Sequence, residues 1–257
     1  MPGLPRQPRF AAVLLFLAVF AGCATAPPPD AGRGSCAWSY SGANGPAHWG
    51  KICPQFAACG IGSRQSPIDI TATISRTLPP LEIRYGSRHA RVVDTGHDIQ
   101  VDITQGGSTA LVVGGRTYQL AQFHFHAPGE HKIAGKPAPM EVHFVHADEG
   151  GELAVISVMM QEGKANPVIA TILHALDTGH PEIELDPADL LPGDRSYFGY
   201  AGSLTTPPCT EGVRFHVLRG SIELSKQQIE DFRRRYLNSR PIQNLNGRVV
   251  LAREAVP

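Results

Sequence analysis

The sequence predicts a single, mainly antiparallel β domain with peripheral helices. Most of the chain consists of short β-prone segments separated by turn residues, and only two segments carry clear helix signals. Neither an internal repeat nor a mid-chain linker interrupts the 257 residues. A chain of this length can bury a substantial core. A metal ion is therefore not needed simply to hold the fold together.

Seven segments combine β-branched and aromatic residues with flanking turn residues, which is typical of strands. In chain order they are 90–93, 98–103, 110–113, 117–126, 140–147, 153–160 and 213–223. Gly114-Gly115 lies between the third and the fourth and predicts a tight hairpin turn.

Two segments have the signals of helices. Asn166-Pro167 offers a cap and a first-turn proline. Apolar residues then follow at helical spacing: Val168, Ile169, Ile172, Leu173 and Leu176. Ser225 and Gln228 resemble a capping box for the second helix. The residues that we expect on its apolar face are Ile229, Phe232 and Tyr236.

The first 23 residues predict a signal peptide. Arg6 and Arg9 precede an apolar run over residues 10–21, which is too short to span a bilayer. The run ends in Phe20-Ala21-Gly22-Cys23, which resembles the cleavage box of a bacterial lipoprotein, although leucine is usual where Phe20 stands. We expect export, either to the periplasm or to a membrane through a lipid on Cys23.

Cleavage after Ala26 is the alternative. It would place Pro27 directly after the cut, which is unfavourable for cleavage. Residues 24–35 are expected to form a Pro/Gly-rich tether, and residues 36–257 the catalytic domain.

The 23 basic and 23 acidic residues give no net charge, and no long basic run occurs. Nucleic acid is therefore not an expected partner.

Three histidines in two predicted strands indicate a metal site. In a strand, Gln122, His124 and His126 share one face. If a neighbouring strand presents Glu141 and His143 to them, three imidazoles converge. Three neutral nitrogens with an open fourth position are typical of a catalytic zinc site. Gln122 and Glu141 are candidates to orient the ligand rings through hydrogen bonds.

Two other functions fit parts of the pattern. A cupin-type metal enzyme would use His124, His126 and Glu130 as ligands, but its later Pro-x-Gly and His-x3-Asn elements are absent around His143 and His146. A non-catalytic zinc-binding or adhesion module is the second alternative. The remaining histidines are expected to be structural or superficial: His48, His89, His146, His174, His180 and His216.

Four cysteines lie beyond Cys23, namely Cys36, Cys53, Cys59 and Cys209. An even number in an exported protein allows two disulfides, with three pairings open. None of these cysteines lies beside the histidine cluster, which disfavours a zinc–thiolate site.

Several motifs in order resemble the α-class carbonic anhydrases, in their bacterial exported form. They are Trp38-Ser39-Tyr40, Gly45-Pro46-Ala47-His48-Trp49, Gln65-Ser66-Pro67-Ile68, the Phe-His-Phe-His segment at 123–126, Glu130-His131, Glu141-Val142-His143 and Gly202-Ser203-Leu204-Thr205-Thr206-Pro207-Pro208. The resemblance runs from Trp38 to about Pro241 and implies a large, twisted central sheet. It also implies reversible hydration of CO2 to bicarbonate and a proton by a zinc-bound hydroxide, and it is compatible with a homodimer.

The resemblance implies roles for residues around the metal. Thr205 accepts a hydrogen bond from the hydroxide and donates to an ionised Glu130, while Thr206 binds substrate or bicarbonate. An apolar pocket for CO2 is formed by Val145, Val155 and Leu204. Phe215 stands where the animal enzymes have tryptophan.

The resemblance assigns four further features. His97 is the proton shuttle. His131 links Glu141 to Tyr200. The main chain near Asn238 accepts from His126. Cys59 pairs with Cys209, which leaves Cys36 with Cys53.

Overall fold

A twelve-stranded, mostly antiparallel sheet forms the centre of the fold in the computed structural model, which describes residues 36–105 and 109–254. The predicted signal peptide and the whole of the predicted tether lie outside the described residues. The strands in chain order are β1 Asp69–Ile70, β2 Ile74–Ser75, β3 Glu82–Arg84, β4 Arg88–Asp94, β5 Ile99–Gln105, β6 Ala110–Val113, β7 Arg116–His126, β8 Lys132–Ile133, β9 Lys136–Pro137, β10 Met140–Ala147, β11 Leu153–Glu162, β12 Glu182–Leu185, β13 Tyr197–Ser203, β14 Glu211–Leu224 and β15 Leu251–Arg253.

The large sheet has the order β12-β4-β5-β7-β10-β11-β14-β13-β15-β2, and β6 pairs with both β7 and β3. Its described pairings are antiparallel except β11 with β14 and β15 with β2. β1, β8 and β9 form a separate small sheet. The prediction of a mainly β, mostly antiparallel domain is confirmed.

The helices are short and peripheral. They are α1 Trp49–Ile52, α2 Ala58–Ile61, α3 Pro167–Thr178 and α4 Lys226–Arg235, with 3-10 helices at Gly42–Asn44, Pro54–Phe56 and Pro187–Leu190. The Asn166 side chain accepts from two backbone N–H groups of α3, and Ser225 and Gln228 form a capping box on α4. Tyr236 lies beyond the end of α4 in extended backbone, so it does not continue the helical face as expected. Within the described residues, no helix has the length and apolar character needed to cross a membrane.

Alternation along the strands divides the core between the two faces of the sheet. Phe123 and Phe125 of β7 are buried in the larger cluster, together with residues of α3 and α4. Val155 of β11 and Phe215 of β14 belong to a smaller cluster. We call the face that bears His124 and Phe215 the front face, and the opposite face the back face.

Candidate metal centre

His124, His126 and His143 converge because β7 and β10 are adjacent in an antiparallel register. His143 pairs with His124, and Glu141 pairs with His126. Ring centroids are 5.0 Å apart for His124 and His126, 5.5 Å for His124 and His143, and 4.7 Å for His126 and His143. One ring nitrogen from each histidine lies within 4.8 Å of the other two. Three nitrogens at such distances can bind one metal ion.

The second nitrogen of each ring is held by a hydrogen bond. The Nδ1 of His124 lies 2.9 Å from Oε1 of Gln122, and the Nδ1 of His126 lies 2.9 Å from the main-chain oxygen of Asn238. The Nε2 of His143 lies 2.8 Å from Oε1 of Glu141. These acceptors fix the tautomers of the three rings. They leave the Nε2 of His124, the Nε2 of His126 and the Nδ1 of His143 free of protons for a metal.

The centre fits a metal ion by two criteria. The Nε2 of His126 is buried and has no hydrogen-bond partner among the described residues. Burial lowers the pKa of His124, His126 and His143 from the usual value, so all three rings are held neutral, which is the form that binds a metal.

A buried hydrogen-bond network supports His143. Glu141 accepts from the Nδ1 of His131 at 2.6 Å as well as from His143, and the Ser157 hydroxyl also donates to it. The Nε2 of His131 lies 2.6 Å from the hydroxyl of Tyr200. Burial alone would raise the pKa of Glu141. The attraction and hydrogen bonds of His131 and His143 have the larger combined effect and hold this pKa well below the usual range. His131, Glu141 and His143 also have ligand atoms close together, but their hydrogen bonds to one another identify them as support for the centre.

Glu130 lies next to the three histidines. Its Oε2 is 3.5 Å from the Nε2 of His126 and 3.9 Å from the Nδ1 of His143, while its Oε1 accepts from the backbone N–H of Arg240 at 2.9 Å. Burial raises the pKa of Glu130 to about 7, and hydrogen bonding to the buried Thr205 acts in the opposite direction. A cation at the histidines would lower this pKa by attraction and favour the ionised form.

The three residues expected to form an apolar pocket belong to the smaller core cluster or pack against it. Val155 is buried there, and Val145 and Leu204 pack against it. The ring of Phe215 lies 5.8 Å from that of His143 and stacks on Tyr200. Thr206, which follows Thr205, is half-buried.

His97 lies on a turn between β4 and β5 and is not one of the three converging histidines. Its ring stacks on Trp38, with centroids 3.8 Å apart and planes inclined by 15°. The neighbouring Asp98 is buried, and this burial raises its pKa, while Thr95 donates to its carboxylate at 2.5 Å.

Both disulfides are formed as the resemblance implied. Cys59 is bonded to Cys209, four residues after Thr205, and Cys36 is bonded to Cys53. The first disulfide connects the loop that carries Thr205 to the segment before Gln65. The second ties the segment that carries Trp38 to the residue that follows α1.

Sequence reasoning did not assign three residues of the centre. They are Arg240, which positions Glu130, Ser157, which donates to Glu141, and Trp38, which packs on His97. Trp38 stood within a recognised motif, so its place beside the site could have been anticipated. Arg240 is 110 residues from Glu130 and has no local signal.

Comparison with known proteins gives a consistent result. The family profile of the eukaryotic-type carbonic anhydrases matches residues 44–254. A carbonic anhydrase of Neisseria gonorrhoeae is 41% identical over 258 residues, which cover 98% of this chain and 100% of the relative. One from Pectobacterium atrosepticum is 40% identical, covering 83% of this chain and 90% of the relative. The solved structure of the α-carbonic anhydrase from Thermovibrio ammonificans, in complex with the inhibitor sulfanilamide, superposes with a TM-score of 0.80 at 42% identity, covering 85% of this chain and 100% of that one.

Proposed function

Since the chain belongs to the eukaryotic-type, or α-class, carbonic anhydrase family, we propose that it hydrates CO2 reversibly to bicarbonate and a proton with a zinc ion held by His124, His126 and His143. Membership in this family makes the chain an enzyme of the lyase class. The observation that carries the zinc assignment is the convergence of three neutral imidazole nitrogens within 4.8 Å. Their other nitrogens are already engaged by Gln122, Asn238 and Glu141.

Zinc held by three neutral ligands would act as a Lewis acid that lowers the pKa of a bound water, for which this enzyme family is the standard illustration. The protein supplies orientation. The carbonyl of Asn238 and the side chains of Gln122 and Glu141 keep the rings aimed at one point. Glu141 is itself immobilised by His131, so the support extends to Tyr200.

Thr205 and Glu130 select the orientation of the nucleophile. An ionised Glu130 can only accept, so it draws the hydroxyl hydrogen of Thr205 toward itself. The oxygen of Thr205 is then left to accept a hydrogen bond from the nucleophile, which points a lone pair at the substrate. The backbone N–H of Arg240 holds Glu130 in place for this task.

The substrate is small and nonpolar, and we assign its site to Val145, Val155 and Leu204. An apolar wall binds CO2 weakly and offers no hydrogen bond to compete with the reaction. The neighbouring Thr206 provides a hydrogen-bonding group for the bicarbonate product.

His97 is the proton carrier in this proposal. An imidazole titrates in the range in which a proton must be both accepted and released near neutral pH. Its side chain stacks on Trp38 and is only partly buried, which supports proton exchange with buffer.

We also propose export to the periplasm or attachment through a lipid on Cys23, with a homodimer as the assembly. Two disulfides support an oxidising compartment. Mass spectrometry of the mature N-terminus tests the lipid, and light scattering tests the dimer.

Metal analysis combined with stopped-flow CO2 hydration tests the catalytic proposal. We expect one zinc per chain in the native protein, and loss of both zinc and activity in His124→Ala. His174→Ala, the same substitution at an exposed histidine on α3, is the matched control and should retain both. Full activity in a zinc-free His124→Ala protein would refute the proposal. Zinc-replete native protein without activity would favour the non-catalytic module instead.

A further inference from the structure

The turn that carries His97, between β4 and β5, is closed by its own side chains. The Oγ1 of Thr95 accepts from the backbone N–H groups of His97 and Asp98, at 3.2 Å and 3.0 Å, and the same hydroxyl donates to the Asp98 carboxylate. The Oδ1 of Asp94 accepts from the backbone N–H of Gly96 at 2.9 Å. These bonds lie within the turn, so they fix its shape but not its position relative to the metal centre.

A side chain from a distant part of the sequence reaches this turn. The hydroxyl of Tyr236 donates to the Oδ1 of Asp94, which is 142 residues away along the chain. Burial and the bond to Asp94 raise the pKa of Tyr236 above its usual value, so the hydroxyl keeps its proton and remains a donor at neutral pH. A hydrogen bond to a carboxylate is stronger than one between neutral groups.

Tyr236 is itself fixed on both sides. It follows the last residue of α4, and its backbone N–H donates to the main-chain oxygen of Phe232 at 2.9 Å. Two residues later, the backbone N–H of Asn238 donates to the oxygen of Ala127 at 3.1 Å, and its Nδ2 donates to the oxygen of Phe125 at 2.9 Å. Tyr236 is therefore anchored both to α4 and to the end of β7, the strand that carries two of the three converging histidines.

Alternate residues of segment 236–240, hereafter the support segment, serve the site. The main-chain oxygen of Asn238 accepts from His126, and the backbone N–H of Arg240 donates to Glu130. Position 236 continues this series at the same two-residue spacing, and its bond goes to the turn of the proton carrier. The support segment thus connects that turn to the residues around the metal centre.

We propose that Tyr236 is a positioning residue for proton transfer, whose hydrogen bond to Asp94 holds the turn so that His97 stays in its place on Trp38. The inference rests on the proposed role of His97 as the proton carrier. Proton transfer requires its partners to be within hydrogen-bond reach, directly or through water. A turn that shifts would therefore slow the removal of the proton and leave the CO2 step unaffected.

Stopped-flow hydration by zinc-loaded Tyr236→Phe, which lacks only the hydroxyl, tests the proposal. We expect kcat in dilute buffer to fall by about fivefold, with kcat/KM and zinc content unchanged, and added imidazole should restore kcat. Tyr197→Phe is the matched control, because it removes a hydroxyl that donates to the main-chain oxygen of Pro79 at 2.9 Å. Its two constants should stay as in native protein. An unchanged kcat in Tyr236→Phe, or a parallel fall in kcat and kcat/KM, would overturn the proposal.

Two substitutions at Asp94 separate the hydrogen bond from the charge. Asp94→Asn keeps an oxygen that can accept from Tyr236 and Gly96, whereas Asp94→Ala removes the charge and the acceptor together. We expect near-native kcat in Asp94→Asn and a fall in Asp94→Ala at least as large as in Tyr236→Phe. Combining Asp94→Ala with Tyr236→Phe should give no further fall, because the bond is already absent. Equal losses in the two Asp94 variants would assign the effect to the charge and overturn the proposal.

The position of His97 provides a measurement that does not depend on activity. The ring proton resonances of His97, assigned by their absence in His97→Ala, report on its stacking over Trp38. We expect them to move in Tyr236→Phe and to stay in place in Tyr197→Phe, and unchanged resonances in both variants would overturn the proposal. If His97→Ala leaves kcat unchanged, the proton-carrier role fails and this inference fails with it. If His97→Ala lowers kcat and Tyr236→Phe does not, this inference alone fails.

Discussion

The imidazole of His97 lies nearly parallel to the indole of Trp38, with ring centroids 3.8 Å apart. Trp38 follows Cys36 by two residues, and Cys36 is bonded to Cys53. The stacking surface for His97 is therefore anchored covalently to the segment beside α1. Stacked aromatic pairs contribute about 0.5–1.5 kcal/mol beyond their buried area, which is enough to favour one ring position.

Replacing His97 by alanine should slow turnover without weakening substrate capture. Proton removal follows CO2 hydration, so kcat in dilute buffer should fall by about tenfold or more, while kcat/KM stays nearly constant. Stopped-flow hydration measures both constants, and added imidazole should restore kcat. His89→Ala, at an exposed histidine on β4, is the matched control. A parallel fall in kcat and kcat/KM would contradict the assignment of His97 as a proton carrier.

Much of this arrangement follows from local sequence patterns. The alternation of His124 and His126 with Phe123 and Phe125 determines which side chains face the candidate metal centre, because the period of a strand is two residues. The caps of α3 and α4 are equally local, since Asn166 and Ser225 act on backbone groups within three residues. Such features can be read without knowing which strands are neighbours.

Other features depend on contacts between distant segments and have no local signal. β13 contains Gly199 and Gly202, which weaken the strand pattern. Gly202 is nevertheless required, because a Cβ there would lie 2.1 Å from the hydroxyl of Ser66. His216 was expected to be structural or superficial, and it is buried on the back face, where β14 pairs with β13.

Glu130→Gln should retain zinc and lose activity. The side chain is not among the three converging ligand groups, and its Oε1 is engaged by Arg240, so its replacement leaves the metal ligands intact. A glutamine can donate to Thr205 and so fails to fix the direction of that hydroxyl, and we expect a loss in kcat/KM of about 100-fold. Zinc content and stopped-flow hydration are the measurements. Loss of zinc from this variant would support the cupin-type ligand set of His124, His126 and Glu130.

Glu141→Gln should weaken zinc binding by about 10- to 100-fold. The carboxylate accepts from both His131 and His143, and an amide replaces one accepting oxygen with a donor. Competition with a chelator measures the dissociation constant. Glu182→Gln, which alters only an exposed ion pair with Arg91, should leave the constant unchanged. An unaltered affinity in Glu141→Gln would show that the orientation of His143 does not depend on this bond.

The two disulfides should contribute unequally to stability. Cys59 and Cys209 are 150 residues apart, whereas Cys36 and Cys53 are 17 apart. In the chain-entropy account, the corresponding contributions to the free energy of unfolding are about 5 and about 3 kcal/mol. Denaturation of Cys59→Ser/Cys209→Ser and Cys36→Ser/Cys53→Ser, each compared with native protein, measures the difference. The opposite ranking would show that native packing, and not loop length, determines the effect.

His216 should make stability fall at mildly acidic pH. Its pKa is about 3 in the folded chain and about 6.5 when exposed, so below pH 6.5 the unfolded chain binds a proton that the folded chain refuses. The free energy of unfolding therefore decreases by about 1.4 kcal/mol per pH unit from this group, from about pH 6.5 down to about 3. Above pH 7 the group has no such effect.

The His216→Phe variant lacks this dependence. Its free energy of unfolding, relative to that of native protein, should therefore increase by about 2 kcal/mol between pH 7.5 and pH 5. Loss of zinc at low pH affects both proteins and cancels in the difference. Urea denaturation at pH 7.5, 6 and 5 measures the two curves, and parallel curves would show that the imidazole of His216 binds its proton equally well in the folded and unfolded chains.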